Sequence, residues 1–314
     1  MPLSLRRGRV SAIFEALPEL VRCEVDGAPC IAYPRLTGPI EEGDEVIVNV
    51  QARELGLGSG GFDVLYVNLT HGLDLPAEPG AHVMKLPYTP LQVAVRHAEE
   101  SEPLAETLDG MPVVCCSLHS QVAPMCAGIG EGARVAYLQL PGGALPVSLS
   151  DAVRALKARG LVETSVAVGA CLDGDVHCVS TASALAWAAA AGHDAAVCAI
   201  GPGVVGTESS LGHGGLAAAE AANATSALGG RPIIAVRKSE ADERERHRGV
   251  SHHAQAVLAL CLGEITVAEE GDEQGWQEAC AGLPLSHMGR GPDEDPAFFA
   301  AAFAAGRVAR HMLA

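Results

Sequence analysis

The 314-residue chain has few aromatic residues, 4% of the total, and little positive charge: 21 Lys+Arg stand against 38 Asp+Glu, a net charge of −17. A field of that sign repels a phosphate backbone unless basic side chains are gathered locally, so nucleic acid is not an expected partner. No apolar run is long enough to cross a bilayer. Residues 1–17 carry three arginines, and Glu15 breaks the only apolar stretch, which argues against a signal peptide. Ten cysteines show no Cys-x-x-Cys pair and no disulfide-scaffold spacing. Cys115, Cys116, Cys198 and Cys261 sit inside apolar runs, where a thiol behaves as a small hydrophobe. Reduced thiols, a cytoplasmic protein and no membrane partner are expected. Gly-Lys-Ser/Thr, His-Glu-x-x-His and Gly-x-Ser-x-Gly are also missing, which removes the phosphate-loop NTPases, the common zinc hydrolases and the serine hydrolases with a nucleophile elbow.

What the chain does have is 48% hydrophobic residues, enough for a large core, and 36 glycines. Residues 10–16, 20–25, 30–33, 45–50 and 63–69 read as short strands between turn signals. Asp26-Gly27 is a hairpin turn, because a two-residue primed turn needs positive φ. Five such strands predict a small OB- or SH3-like β-barrel over residues 1–72. The segment is acidic, and Phe14, Tyr33, Phe62 and Tyr66 are scattered rather than clustered. A docking or oligomerisation module therefore suits it better than base stacking, and a homo-oligomer is expected. Residues 55–61 read as a long glycine-rich hairpin connection. Six prolines mark residues 73–112 as a connection, with a short helix over 91–100.

From 113 to 314 the pattern predicts a parallel, Rossmann-like open α/β sheet with helices on both faces. Strands are expected at 113–118, 134–140, 165–170, 195–200, 233–236 and 265–268. Crossover helices are expected at 147–159, 181–191, 216–228 and 252–262. Ser150, Ser180 and Ser251 stand at or near their N-caps, and Gly160, Gly192, Gly229 and Gly263 follow them. Pro124 breaks the connection after the first strand. A helix over 296–313 carries Phe298, Phe299 and Phe303 as an apolar stripe for the sheet or for a second subunit.

Ligands of such sheets collect at the carboxyl ends of the strands. The loops there hold His119, Ser120 and Gln121, then Gly142 and Gly143, then Asp175, then residues 201–215, then 237–242. Residues 201–215 contain six glycines, among them Gly201, Gly203 and Gly206, beside Thr207 and Ser209. Backbone N–H groups and hydroxyls so placed suit a phosphate- or carboxylate-bearing ligand. They also spell GxGxxG, but proline follows the first glycine and the expected helix starts only at residue 216, so a dinucleotide fits less well. A plain strand-to-helix turn is the alternative.

GDEVIVNV, ELGLGSGGF, GPGVVGT, RHRGVSHH and the final MGRG…DPAFFAAAFAAG together make the chain resemble a bacterial family known only as a domain of unknown function. The resemblance spans nearly the whole chain and implies no activity. Two departures from the family pattern stand out: GTES at Gly206–Ser209 in place of GTGT, and the residues around His177, where the family usually carries its own acid.

Residues 237–248 are the basic concentration of the chain, with Arg237 and Arg246 candidates to clamp an anion and i,i+4 pairing on a solvated helix the alternative. His247, His252 and His253 are candidate acid–base groups with His119 and Asp175, and candidate ligands, with Asp242, of a divalent metal. His213 is placed to converge on them. Two readings stay open. One is an enzyme acting on a small anionic metabolite at the sheet's carboxyl edge, and the other is a non-catalytic ligand-binding or assembly protein using the same pocket.

Overall fold

A computed structural model describes residues 3–56, 61–268 and 271–313. The chain divides into two compact units, Met1–Val95 and Arg96–Ala314. The division falls inside the proline-rich stretch.

The first unit is built on β1 (Leu5–Ala16), β2 (Val21–Val25), β3 (Ala28–Ala32), the short helix α1 (Pro34–Thr37), β4 (Glu45–Asn49), α2 (Gln51–Glu54) and β5 (Asp63–Asn68). The five strands close into a barrel in the order β1-β2-β3-β5-β4. Val10, Cys23, Val25, Val46, Val48 and Leu65 fill it, as alternation places them. Asp26 and Gly27 turn the β2–β3 hairpin with φ of 50° and 76°. All five expected strands are present. Part of the expected loop at 55–61 lies outside the described residues. Where a helix was expected over 91–100, the chain instead pairs β6 (Val83–Lys85) with β7 (Val93–Val95) and adds one 3-10 turn at Ala98–Glu100. Val93 and Val95 are β-branched and favour the strand.

The second unit holds β8 (Pro112–Cys116), α3 (Val122–Ile129), β9 (Val135–Leu140), α4 (Asp151–Ala158), β10 (Thr164–Val168), β11 (Val176–Cys178), α5 (Thr181–Ala190), β12 (Ala195–Ile200), α6 (Ala217–Ala227), β13 (Arg231–Ala235), β14 (Lys238–Ser239), β15 (Gly249–Val250), α7 (His252–Leu260), β16 (Thr266–Val267), α8 (Trp276–Ala279) and α9 (Pro296–Met312). Seven strands form one parallel sheet ordered β11-β10-β9-β12-β8-β13-β16. This is the expected class with one strand more. β11 is only three residues long and follows β10 through a helix-free return over residues 169–175.

Successive strand residues point to opposite faces, so Cys116 packs with α3, α4, α8 and α9 while Cys115 packs with α5, α6 and α7. Both cysteines are core residues. Phe298 and Phe299 are fully buried, and each contributes roughly 1.5–3 kcal/mol by leaving water. α9 therefore docks within its own unit. It crosses α3 at small residues: a Cβ on Gly306 would lie 2.0 Å from the Met125 carbonyl oxygen, and one on Gly128 2.2 Å from that of Phe303. α3 itself was not expected. Pro124 stands in its first turn, where the missing N–H costs no helix hydrogen bond. The Ser150, Ser180 and Ser251 hydroxyls cap α4, α5 and α7.

The chain leaves β8 toward β9 on one side and leaves β12 toward β13 on the other, although β8 and β12 are neighbours. The crevice beyond their carboxyl ends is therefore a topological switch point.

Candidate functional site

Three loops border that crevice, and their glycines explain how they pack. A Cβ on Gly201 would lie 2.0 Å from the Ala144 carbonyl oxygen. On Gly143 it would lie 2.2 Å from that of Gly201, and on Gly214 2.0 Å from that of Gly142. The loops after β9 and β12 touch backbone to backbone, tied by Ala144 N–H to Pro202 O and Val205 N–H to Gly142 O. Gly201, Gly142 and Gly143 thus have a packing role. Gly203, at φ 71°, holds a left-handed position. Beyond it the loop makes an antiparallel bridge, Gly206 to His213. Thr207 and Ser209 bind Gly212 at its tip, the threonine donating and the serine accepting. One 3-10 turn then leads into α6, so the loop does not open directly into a helix as a dinucleotide turn does.

His213 carries this loop onto the histidines that precede and open α7. Its ring stacks on His253 with centroids 3.7 Å apart, His253 stacks on His252 at 4.2 Å, and His247 meets both at 4.9 Å. One ring nitrogen from each of His247, His252 and His253 lies within 4.8 Å of the other two. His247 Nδ1 is 2.7 Å from Ser251 Oγ, the same oxygen that accepts the His253 backbone N–H. Nε2 of His213, His252 and His253 is buried with no hydrogen-bond partner among the described residues. Burial and the positive charge of Arg237 push His247 down to about 3. Burial and the neighbouring imidazoles push His253 to about 3 as well. These rings are neutral near pH 7.

A buried ionic network adjoins them. Asp242, 1% exposed, accepts from Arg237 Nη2 at 3.1 Å and from Arg244 Nη2 at 2.9 Å, with Arg290 Nη2 at 3.6 Å. Burial alone would raise the Asp242 carboxyl; the Arg244 hydrogen bonds and the charges of Arg244 and Arg237 outweigh it and hold it well below the usual range. Asp295 accepts from Ser239 Oγ at 2.6 Å and lies 3.5 Å from Arg290 Nε. Three guanidinium groups meet two carboxylates here. Arg237, 3% exposed, is pushed down to about 10 by burial, and its Nε has no hydrogen-bond partner among the described residues. Residues 237–248 do not form the salt-bridged helix that stood as the alternative to an anion clamp. They form β14 and a 3-10 turn, and Asp242 pairs with Arg244 rather than with Arg246. Arg246 reaches Glu208 in the glycine loop at 3.5 Å.

The other expected site residues divide. His119 Nδ1 lies 3.2 Å from the Ile200 carbonyl and Nε2 2.6 Å from the helix-capping Ser150 Oγ, so both ring nitrogens serve the fold. Burial lowers its pKa to about 4. Ser120 Oγ is 3.3 Å from His287 Nδ1, and Gln121 Nε2 donates to the Ala235 carbonyl. Asp175 is misplaced by the sequence reading. The return over 169–175 carries it to the opposite end of the sheet, where it pairs with Lys157 and with Ser165 at the start of β10. Asp242 is not in the three-histidine group, because its oxygens face arginines. The sequence reading missed His287, Arg290 and Asp295 as members of this edge. The signal was present, since Ser286-His-Met-Gly-Arg-Gly291 is a polar, glycine-flanked stretch just before α9.

A family model described as a protein of unknown function, DUF3866, matches residues 29–273. The chain belongs to that family. The match covers β3 to β5 of the barrel and the whole parallel sheet, with the glycine loop and the histidine cluster inside it. The DUF3866 description assigns no activity to either. A comparison with curated proteins finds no match. Among the described residues no helix is long and apolar enough to cross a membrane.

Proposed function

We propose that this protein is a cytoplasmic enzyme acting on a small phosphate- or carboxylate-bearing metabolite at the carboxyl edge of its parallel sheet. One observation carries the reading: in a chain of net charge −17, three arginines gather around two buried carboxylates directly beside a stack of neutral imidazoles. The surplus positive charge lies in a partly desolvated place, where a guanidinium–anion hydrogen bond is worth roughly 1.5–3 kcal/mol. Neutral imidazoles next to it offer lone pairs to a hydrogen-bond donor of a bound substrate. Salt screens the acidic surface beyond about 10 Å, so local geometry decides binding. A homo-oligomer is part of the proposal.

A non-catalytic binding protein is the second reading, and His119 favours it, because both of its ring nitrogens are engaged by the fold. Calorimetry with phosphate, sulfate and nucleoside monophosphates tests the anion site. Wild-type protein should bind at least one of them, and Gly203→Val and Arg246→Ala should weaken that binding. Wild-type protein that binds none, or variants that bind unchanged, would refute the anion site. Turnover of a bound metabolite that is lost in His253→Gln separates enzyme from binder.

A further inference from the structure

We infer that His247, His252 and His253 form a binding site for a divalent first-row transition metal, with an open coordination position that takes an anion. The inference deepens the proposed reading of the carboxyl edge and rests on it only for the identity of that anion.

The donor set comes first. Three imidazoles with no carboxylate suit zinc, cobalt or nickel and do not suit calcium or magnesium, which demand oxygen ligands. The three donor nitrogens lie within 4.8 Å of one another. Tetrahedral coordination at bonds of about 2.0–2.1 Å needs them roughly 3.4 Å apart, a closure that side-chain rotation supplies. Two of the three are backed by an independent observation: Nε2 of His252 and Nε2 of His253 are buried and unpartnered among the described residues. A buried ring nitrogen without a partner is costly, and a metal bond removes that cost. Orientation is set as well. With Nδ1–H of His247 donating to Ser251 Oγ at 2.7 Å, the lone pair of that ring is on Nε2. A second-shell hydroxyl of this kind fixes the tautomer of a metal-bound histidine.

Charge then argues for the open position. Three neutral ligands leave the full 2+ on the ion, and Arg237, Arg244 and Arg246 already place positive charge around His252. Asp242 and Asp295 are occupied by arginines and offer the ion no compensation. The site therefore balances its charge by taking an anion, either hydroxide or an acidic group of the substrate. Three protein ligands and one exchangeable position are the pattern of catalytic rather than structural zinc centres.

The test is a titration of the full chain, freed of metal by chelator, with Co2+ followed by its visible d–d absorption. The expected result is one Co2+ per chain with the intensity of a low-coordinate site, and band shifts on adding azide. His253→Gln and His247→Ala should each weaken Co2+ binding beyond about 100-fold, and Ser251→Ala, which removes the orienting partner of His247 together with the cap of α7, by roughly 10–100-fold. Circular dichroism identifies variants that do not fold, and competition of Zn2+ with Co2+ in wild-type protein keeps the test open if all three fail. Wild-type protein that binds no Co2+, folded histidine variants that bind it unchanged, or Co2+ bands indifferent to azide would each overturn the inference. Phosphate calorimetry in chelator separates the two proposals. Phosphate binding without any Co2+ binding sinks the metal centre and leaves the anion site, whereas Co2+ binding with azide shifts and no phosphate binding does the reverse.

Discussion

Asp242 is the residue whose loss should be felt most. Its carboxylate is buried and faces Arg237, Arg244 and Arg290, two at hydrogen-bond distance and the third at 3.6 Å. Asp242→Ala leaves these guanidinium groups, one of them deeply buried, without their common counter-charge. Removing one partner of a buried ion pair costs about 3–5 kcal/mol. For a unit of roughly 220 residues, each kcal/mol moves Tm by about 2–4 °C, so the variant should melt roughly 6–20 °C lower. The pH dependence has a definite sign. The folded pKa of Asp242 is depressed, so its stabilisation is complete above the unfolded value of about 3.9 and is lost as pH falls below it toward the folded value. The gap between wild type and Asp242→Ala should accordingly be widest near pH 6–7 and narrow below about pH 4. Urea unfolding followed by circular dichroism across that range is the assay. Equal midpoints at pH 7, or a gap that widens on acidification, would refute this account of the network.

Three further outcomes are expected. Gly306→Ala puts a methyl 2.0 Å from the Met125 carbonyl oxygen and should cost about 1–3 kcal/mol by parting α9 from α3, measured by thermal unfolding. Ser150→Ala removes both the cap of α4 and the partner of His119 Nε2. It should cost about 1–2 kcal/mol and move the His119 ring resonances in NMR. His119 and His287 are each pushed down to about 4 by burial. Their unfolded forms take protons first, so their contribution to stability is present above about pH 6.5 and is lost as pH falls toward 4. Long-range proton–nitrogen spectra should show both rings neutral at pH 5.5.

The barrel strands and most of the sheet were legible because short β-branched runs and turn residues repeat at regular spacing. Asp26-Gly27 and the four glycines after the crossover helices mark ends that only positive φ can make. Strand order was not legible. Nothing local says that β12 inserts between β9 and β8, or that β3 and β5 pair in parallel, since both depend on which side a connection crosses. β11 was missed because three residues carry no period, and α3 because Pro124 reads as a breaker unless its place in the first turn is known. The histidine cluster was legible because it is local in sequence, at residues 247–253. His287, Arg290 and Asp295 reach Ser120 and the neighbouring ionic network from some 35 residues downstream. Asp175 was misassigned because a strand's next loop ordinarily stays at the carboxyl edge, whereas this one runs back to the other end.

The central claim is that function lies at the carboxyl edge between β8 and β12. Backbone amide shift mapping with phosphate and with Co2+ tests it most directly. The account predicts perturbations concentrated in residues 201–215 and 237–253, with Ser165 and Asp175 at the opposite end unchanged. Shifts confined to the barrel or to that opposite end, or no shifts with either probe, would contradict it.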